Sequence, residues 1–173
     1  MKVGIGQDSH RFEFENKEKK LVLGGITFEG PGLNGNSDAD VVLHAITNAI
    51  SGVTCKNILG EVTDNMCRSG ITDSKEYVKE ALKYLNNKIE HISITIEGKI
   101  PKISPKVEEM RKSIAEILGI TTSQVGITAT TGEGLTEFRK RPRNKCICNS
   151  NSRIKLLKYI GKFDILYSIE MER

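Results

Sequence analysis

Asp8 and His10 stand two positions apart in the segment GIGQDSHR near the start of the chain, and His44 follows in DADVVLHA. On a β-strand, which the small and apolar residues before Asp8 predict, both side chains project to one face about 7 Å apart along the backbone. One carboxylate and two imidazoles suit Zn²⁺ or a similar divalent ion, and three protein ligands leave a coordination position for water or substrate. On spacing alone, surface or capping roles are the commoner explanation, and a metal site is the alternative.

A second candidate site is the segment TATTGEG, residues 128–134. A strand that runs into hydroxyl groups, an acid and two glycines offers backbone N–H groups and threonine oxygens to a phosphate, and Glu133 could hold Mg²⁺ beside it. An ordinary turn is the simpler interpretation. The loop GKIPKISP adds Lys99 and Lys102, which are either anion contacts or solvated charges.

Two acids precede the predicted helix that carries His44. Asp38 and Asp40 are expected to cap this helix, although either could instead orient a ligand histidine from behind. His91 lies on an alternating segment and is interpreted as a half-exposed strand residue.

A short set of strands and helices must position these residues. The pattern predicts, in chain order, strands at MKVGIGQ and KKLVLGGITFEG, helices from Asp40 and at TDSKEYVKEALKYL, a strand at EHISITIEG, a helix at ISPKVEEMRKSIAEILG and a strand at QVGITATT. Gly24 and Gly25 mark a bulge or turn in the second strand. Asp73 and Glu76 form a predicted capping box for the second helix.

This order of elements predicts an α+β fold with a mixed sheet of four to five strands and three helices on one face, ferredoxin-like in arrangement. With 173 residues and 19.2 kDa, one domain is expected. No apolar run approaches the ~18 residues of a membrane span. The first ten residues lack the pattern of a secretory signal, so an intracellular location, cytoplasmic or in a plastid-type organelle, is expected.

The charge is distributed unevenly along the chain. From Phe138 to the end, the chain has ten Lys and Arg residues and three acids, which gives this segment a net charge of +7. Because the whole chain has a net charge of +4, the remainder carries −3. A polyanionic partner such as nucleic acid is one interpretation, and a solvated basic end is the commoner one. The four cysteines show no CxxC spacing and are expected to be free thiols.

The motifs, taken together, resemble those of one enzyme family. They are G-x-D-x-H at 6–10, L-V-L-G-G at 21–25, S-D-A-D-V-x-L-H-A at 37–45, D-S at 73–74, P-K-I-S-P at 101–105 and A-T-T-x-E at 129–133. Their order and approximate spacing are similar to those of the 2-C-methyl-D-erythritol 2,4-cyclodiphosphate synthases, over roughly residues 1–135. The combination of the early D-x-H with S-D-A-D-V-x-L-H-A is the most specific part of this resemblance.

The resemblance implies a metal-dependent lyase of the non-mevalonate route to isoprenoid precursors. Its substrate would be 4-diphosphocytidyl-2-C-methyl-D-erythritol 2-phosphate, whose 2-phosphate attacks its own β-phosphorus, closes a cyclic diphosphate and expels CMP. Such a reaction mostly requires neutralised charge and an aligned nucleophile. The resemblance also implies a homotrimer with active sites between adjacent subunits. From hydropathy and from the commoner interpretation of the basic end, we expect neither a membrane nor a nucleic-acid partner.

The resemblance also assigns roles to residues by motif. Asp8, His10 and His44 would bind Zn²⁺, and Glu133 would hold Mg²⁺ or Mn²⁺ between the α- and β-phosphates. Thr131 would stabilise the transition state. The other implied substrate-binding positions are Asp8, His10, Ser37, Thr130 and Glu133 near the phosphates, Asp64 in a flexible loop over the methylerythritol, and Gly98, Pro101, Lys102, Ile103 and Ser104 in the loop that reads the cytosine.

The chain departs from the family pattern at several of these positions. Asn36 stands where the family has a histidine that assists the transition state, and it can still donate one hydrogen bond. Asn57 stands where the family has a carboxylate that accepts from the methylerythritol hydroxyls. We assign both to substrate binding and take Asn36 with Thr131 as the catalytic positions. A catalytically impaired relative that keeps the fold and metal as a binding or assembly module is therefore an alternative. Metal-dependent phosphohydrolysis is a third hypothesis, for which the sequence singles out no general base.

The segment after Glu133 departs most from the family pattern. A reading-frame shift or a decaying gene copy would produce such a segment. We therefore divide the chain into a synthase-like domain, 1–137, and a divergent basic tail, 138–173, that could complete the domain with a short strand. Buried charge without partners costs several kcal/mol per ion, so the tail is expected to stay out of the sheet and to pack loosely. FDILYSIEM, residues 163–171, is the exception, because alternation returns there.

Overall fold

The computed structural model describes residues 2–131 and 147–156, and in the second range it describes only the side chain of Ile154. The strands are β1 (Lys2–Arg11), β2 (Lys20–Leu23), β3 (Ile26–Pro31), β4 (Ile89–Glu97), β5 (Val125–Thr130) and β6 (Ile147–Leu156). The helices are α1 (Val41–Thr54), α2 (Glu61–Arg68), α3 (Ser74–Leu82) and α4 (Val107–Leu118). Short 3₁₀ turns at Ser104–Lys106 and Thr122–Gln124 flank α4.

The strands form a mixed four-stranded sheet in the order β1-β6-β4-β5 and a separate hairpin of β2 with β3. The strands β4 and β5 are parallel, and β6 runs antiparallel to both of its neighbours. The predicted α+β class with a mixed sheet is confirmed. The described residues contain four α-helices where three were expected, and α2 is the addition.

The helix α2 has no apolar stripe in its sequence, which is why periodicity does not predict it. Only Thr63 of this helix is buried. Its hydroxyl group accepts from the Gly60 N–H at 3.0 Å and donates to the Gly60 carbonyl at 3.1 Å, so local hydrogen bonds rather than core packing start the helix.

The pair Gly24–Gly25 forms a two-residue turn between β2 and β3 and thereby explains the bend predicted there. Both residues have positive φ, 63° and 78°, as a hairpin turn of this length requires. Their N–H groups donate to the buried carboxylate of Asp40 at 2.9 and 2.7 Å. The same carboxylate caps α1 by accepting from the N–H groups of Val42 and Leu43, so Asp40 fastens the hairpin to the start of α1.

Strand β1 and helix α1 lie in unusually close contact, and this contact sets the position of the candidate metal ligands. A Cβ atom on Gly6 would lie 2.1 Å from the Ala45 carbonyl oxygen, and one on Gly4 would lie 2.2 Å from that of Ala49. Only glycine permits this approach. The buried stripe of α1 faces the sheet as predicted, with Val42, Leu43, Ile46, Ala49, Ile50 and Val53 all buried.

Strand β6 corrects the expectation for the tail. Residues 147–156 pair with β1 on one side and β4 on the other, so this part of the tail lies in the middle of the sheet. Ile154 is fully buried opposite Gly4 and Ile92. The charge argument failed because polar residues in a strand can occupy alternate positions that face away from the helices. FDILYSIEM and the cluster Arg139–Arg143 lie outside the described residues.

Within residues 2–131 and 147–156, the helices cover one face of the sheet and leave the other face exposed. On β4, Ile92, Ile94 and Ile96 are buried towards the helices, while His91 and Thr95 are exposed on the opposite face. Within the described ranges, no helix is both long and apolar enough to cross a membrane.

Candidate active site

Two side chains of β1, Asp8 and His10, meet His44, which lies 36 and 34 positions further along the chain. The Asp8 Oδ2 atom lies 3.0 Å from His10 Nε2 and 2.9 Å from His44 Nδ1, and these two nitrogens are 3.2 Å apart. Asp8 and His10 project to the same face of β1, as alternation predicts, and His44 reaches them from the first turn of α1. The structure therefore brings the predicted metal ligands into one cluster.

The donor triangle has the dimensions that a tetrahedral zinc ion needs. Zinc lies about 2.0–2.1 Å from nitrogen and oxygen ligands, which places neighbouring donors about 3.3 Å apart. The observed separations of 2.9–3.2 Å are slightly smaller, so a minor outward rotation of the side chains is enough. The residues present therefore fit the implied metal.

Hydrogen bonding within the cluster shifts the pKa values of its members. Burial raises the pKa of Asp8, but hydrogen bonds and charge from His10 and His44 outweigh burial and leave this pKa well below its ordinary value. Burial lowers the pKa of His10, but the hydrogen bond and charge of Asp8 outweigh it and raise the pKa above 6.5. The carboxylate is therefore ionised and ready to bind a cation at neutral pH.

The loop before α1 runs along the edge of the metal cluster. The Asn34 carbonyl accepts from His10 Nδ1 at 2.8 Å, and the Gly35 carbonyl accepts from the Lys19 ammonium at 2.5 Å. Asn36 follows and is exposed, while Ser37 is half-buried and accepts from the Ala39 N–H. The two predicted substrate positions, Asn36 and Ser37, thus directly follow two residues whose carbonyl groups are hydrogen-bonded. One of these residues, Asn34, contacts the cluster through His10.

A separate pocket of about 420 Å³ opens where β4 and β5 end. The whole predicted cytosine loop, 98–104, lines it, together with Thr130 and Thr131. Ile103 is buried and anchors the loop to the core, whereas Lys102 and Ser104 are exposed. The size and the mixed apolar and polar lining suit a nucleoside.

Strand register relates this pocket to the metal cluster. Asp8 of β1 and Ile96 of β4 pair with the same residue of β6, Ser150. They are therefore separated by two strand spacings, about 10 Å. Since β1 and β4 run in the same direction, the cluster and the pocket lie at the same edge of the sheet, but they share no residue.

The remaining predicted positions lie away from this cluster and pocket. Asn57 is exposed in the segment between α1 and α2. Asp64 is exposed on α2 itself, so this position lies in a helix where a loop was expected. Glu133 lies outside the described residues.

Sequence reasoning missed one residue of the site. The Ser74 hydroxyl group, fully buried at the start of α3, lies 3.0 Å from His44 Nε2 and contacts the Asp38 carboxylate. The motif D-S at 73–74 marks the position, but a serine at the start of a helix is usually a capping residue, and Asp73 is the N-cap here.

Comparisons with known proteins agree with this geometry. The model of the YgbB family matches residues 1–151. The 2-C-methyl-D-erythritol 2,4-cyclodiphosphate synthase of Chlamydia caviae is 53% identical over 151 residues, which cover 85% of this chain and 86% of that protein. That of Chlamydia felis is 52% identical with the same coverage.

Solved structures give the same result. A 2C-methyl-D-erythritol-2,4-cyclodiphosphate synthase described as a CDP-bound form is 25% identical with a TM-score of 0.75, and covers 90% of this chain and 99% of that one. The synthase from Plasmodium vivax is 26% identical with a TM-score of 0.72, at 90% and 97% coverage. The family match extends to residue 151 and so includes part of β6, beyond the end of the motifs at residue 135.

Proposed function

Because the chain belongs to the YgbB family, we propose that it is a 2-C-methyl-D-erythritol 2,4-cyclodiphosphate synthase. In this reaction a 2-phosphate oxygen of 4-diphosphocytidyl-2-C-methyl-D-erythritol 2-phosphate forms a bond to the β-phosphorus. The bond from that phosphorus to the oxygen shared with the α-phosphate breaks, and CMP leaves with its electron pair. The products are the cyclic diphosphate and CMP, so the enzyme is a phosphorus–oxygen lyase. The observation that carries this proposal is the cluster of Asp8, His10 and His44.

Asp8, His10 and His44 would hold Zn²⁺ or a similar divalent ion. Such an ion supplies positive charge that polarises a phosphoryl oxygen. The fit of the donor triangle and the low pKa of Asp8 support this assignment. Glu133 would hold a second ion, Mg²⁺ or Mn²⁺, as the family motif A-T-T-x-E implies, and this ion would supply positive charge near the phosphates.

The pocket at 98–105 would bind the cytidine. Its loop offers backbone N–H and carbonyl groups, which can read the polar edge of a base, and Ile103 fixes the loop against the core. Thr130 and Thr131 lie in the same pocket and would contact the diphosphate. The CDP-bound relative of similar fold supports a cytidine nucleotide as the ligand.

The chain's own residues would act by position and electrostatics. Asn36 would donate a hydrogen bond to the transferring phosphate, and Ser37 would hold the same group from the neighbouring position. Thr131 would donate to the oxygens on which negative charge increases as the new bond forms. Neither step requires a covalent intermediate with the enzyme.

We also propose that three copies of the chain assemble through the exposed face of the sheet. Ile5 and Val3, whose side chains point away from α1, are 73% and 38% exposed in the single chain. An apolar strand face on an edge strand is typical of an interface. In such a trimer the metal cluster of one subunit would meet the nucleotide pocket of the next.

The reaction is tested by adding the authentic substrate to the purified protein. We expect release of CMP and formation of the cyclic diphosphate, both followed by ³¹P NMR and chromatography. With Asn36 and Asn57 in place of the family's ionisable groups, we expect a lower rate than in relatives that keep those groups. Release of inorganic phosphate would instead indicate a phosphohydrolase, and metal binding without any turnover would indicate a binding or assembly module.

A further inference from the structure

In the two histidines of the metal cluster, the ring nitrogens that face away from Asp8 have different hydrogen-bond partners. His10 Nδ1 lies 2.8 Å from the Asn34 carbonyl oxygen, which can only accept. His10 therefore carries a proton on Nδ1, and Nε2, which faces Asp8, is the nitrogen that gives up its proton when a metal ion binds. His44 faces the cluster with the other nitrogen, Nδ1, so its proton must be on Nε2 for the ring to bind a metal.

The partner of His44 Nε2 is the Ser74 hydroxyl, which by itself does not define the proton position. A hydroxyl group can donate one hydrogen bond and accept two, so at 3.0 Å it could serve either ring state. If Ser74 donated, His44 would carry its proton on Nδ1 and could not bind a metal there.

Asp38 resolves this ambiguity. The Ser74 hydroxyl contacts Asp38 Oδ1, and an ionised carboxylate can only accept. The single hydroxyl proton of Ser74 is therefore directed to Asp38. The oxygen of Ser74 is left to accept from His44 Nε2–H, so Nδ1, which faces Asp8 Oδ2 at 2.9 Å, is the nitrogen that can give up its proton and bind a metal ion.

The position of Asp38 is itself fixed by the backbone. Its carboxylate accepts from the N–H groups of Ser74 at 3.2 Å and Asp40 at 3.1 Å, and its own N–H donates to the Thr72 carbonyl at 2.9 Å. Ser74 is fully buried and His44 is 8% exposed, so water cannot readily replace the hydroxyl group. Asp40 cannot do the same task, because four backbone N–H groups occupy its carboxylate.

We propose that Ser74 and Asp38 are positioning residues that keep the His44 proton on Nε2 and thereby set the metal affinity of the cluster. This inference rests on the metal site proposed above. It differs from a purely structural role of Ser74 at the start of α3, because a structural role would leave the His44 tautomer unchanged.

The test uses the full chain labelled with ¹⁵N-histidine. Long-range ¹H–¹⁵N correlation spectra of the metal-free protein report the tautomer of each ring, with exposed His91 as the internal reference, and competition with a chromophoric chelator then gives the zinc affinity. For the Ser74→Ala variant we expect His44 to become a mixture of tautomers and the zinc affinity to fall about 10- to 100-fold. The backbone bond from Ser74 to Asp38 survives in this variant, so α3 keeps its start.

A second variant and a matched control complete the design. Asp38→Asn must place an NH₂ group against a neighbouring donor, and we expect it also to weaken zinc binding and mix the tautomers. Ser51→Ala removes a buried hydroxyl group that has no hydrogen-bond partner within the described ranges, and should match wild type in both readouts. If Ser74→Ala does not fold, Asp38→Asn decides.

The proposal is overturned if both variants bind zinc as tightly as wild type and keep the His44 proton on Nε2. This result would leave the proposed reaction untouched, because wild-type CMP release is measured separately. Conversely, a wild-type protein that binds zinc but releases no CMP would refute the reaction and not the role of Ser74 and Asp38.

Discussion

Single residues at the metal cluster compete for protons and for the metal ion. In the metal-free protein, the Asp8 carboxylate bonds to both histidine rings, and this interaction raises the pKa of His10 and lowers that of Asp8. The histidine nitrogens that face Asp8 must lose their protons to bind a cation. Stability of the metal-free protein and metal affinity should therefore change in opposite directions with pH.

The first prediction concerns this pH dependence. Because the folded-state pKa of His10 is above 6.5, its contribution to stability is complete below pH 6.5 and is lost as the pH rises through the folded value. Because that of Asp8 is lowered, its contribution is present above its ordinary pKa of 3.8 and is lost on acidification. In urea unfolding with a chelator present, the free energy of unfolding of wild type should exceed that of His10→Gln most between pH 3.8 and pH 6.5. Zinc affinity should rise as the pH increases through the His10 pKa. A difference between wild type and His10→Gln that grows above pH 7 would contradict the assignment.

The second prediction concerns the metal itself. Purified protein should carry about one zinc-like ion per chain, since three protein ligands form one site. His10→Ala should lose this ion, and His91→Ala, which alters a histidine outside the cluster, should retain it. Elemental analysis of the three proteins checks this, and equal metal content in all of them would exclude the site.

The sequence predicts the three metal ligands, but it does not predict the residues that hydrogen-bond to them. Strand alternation alone places Asp8 and His10 on one face, and one histidine in the next helix completes the set. The proximity of Ser74 to His44 depends on how α3 packs against α1. No local pattern in the sequence encodes this packing.

At the scale of elements, the contact between β1 and α1 determines whether the cluster forms. Asp8 and His10 belong to β1 and His44 to α1, so the spacing of these two elements sets the donor distances. This spacing is possible because Gly4 and Gly6 present no side chain to α1.

The third prediction follows from this contact. In Gly6→Ala, the added methyl group would lie 2.1 Å from the Ala45 carbonyl oxygen, so β1 must move away from α1. We expect destabilisation of at least about 1–3 kcal/mol and weaker zinc binding. Gly52→Ala, within α1, is the matched control, because its Cβ would come no closer than 3.8 Å to the Ile5 carbonyl oxygen. This substitution should stabilise the protein by about 0.5–1 kcal/mol. Urea unfolding and zinc titration of both variants measure these effects, and an unchanged Gly6→Ala protein would refute the argument.

The elements that the sequence predicted are those with an apolar period. The helices α1, α3 and α4 show a buried stripe, and their ends carry Asp40, Asp73 and Gly119 at the expected caps. From Cys148 on, the sequence of β6 alternates small or apolar residues with polar ones, but the many polar residues obscure this alternation and favour a charged tail. The pairing of β6 with β1 and β4 is a non-local property that the charge count could not reveal.

At the scale of the whole molecule, the helices that the structure describes cover one face of the sheet and no described element covers the other. The fourth prediction is that the open face is closed by self-association, with a solution mass close to three times the 19.2 kDa of one chain. Ile5→Lys places a charge on the most exposed large apolar side chain of β1 and should give monomers that still bind zinc. Ile71→Lys changes a 40% exposed residue in the loop between α2 and α3 and should remain trimeric. Sedimentation analysis measures the masses, and a monomeric wild type would refute the assembly.

The last prediction asks whether one active site needs two chains. The metal cluster and the nucleotide pocket share no residue, so a variant can damage either one alone. His10→Ala removes a metal ligand, and Ala129→Trp fills the pocket with an indole while leaving the cluster intact. Each variant alone should release almost no CMP. If sites form between neighbouring subunits, a re-associated equal mixture should recover up to about a quarter of wild-type activity, since half the chains carry each intact part and both must meet at one interface. The zinc content and solution mass of each variant are measured first. Both variants should be trimers, and only His10→Ala should lack zinc. A mixture no more active than its separate components would place the whole site within one chain, across the roughly 10 Å that separates Asp8 from β4.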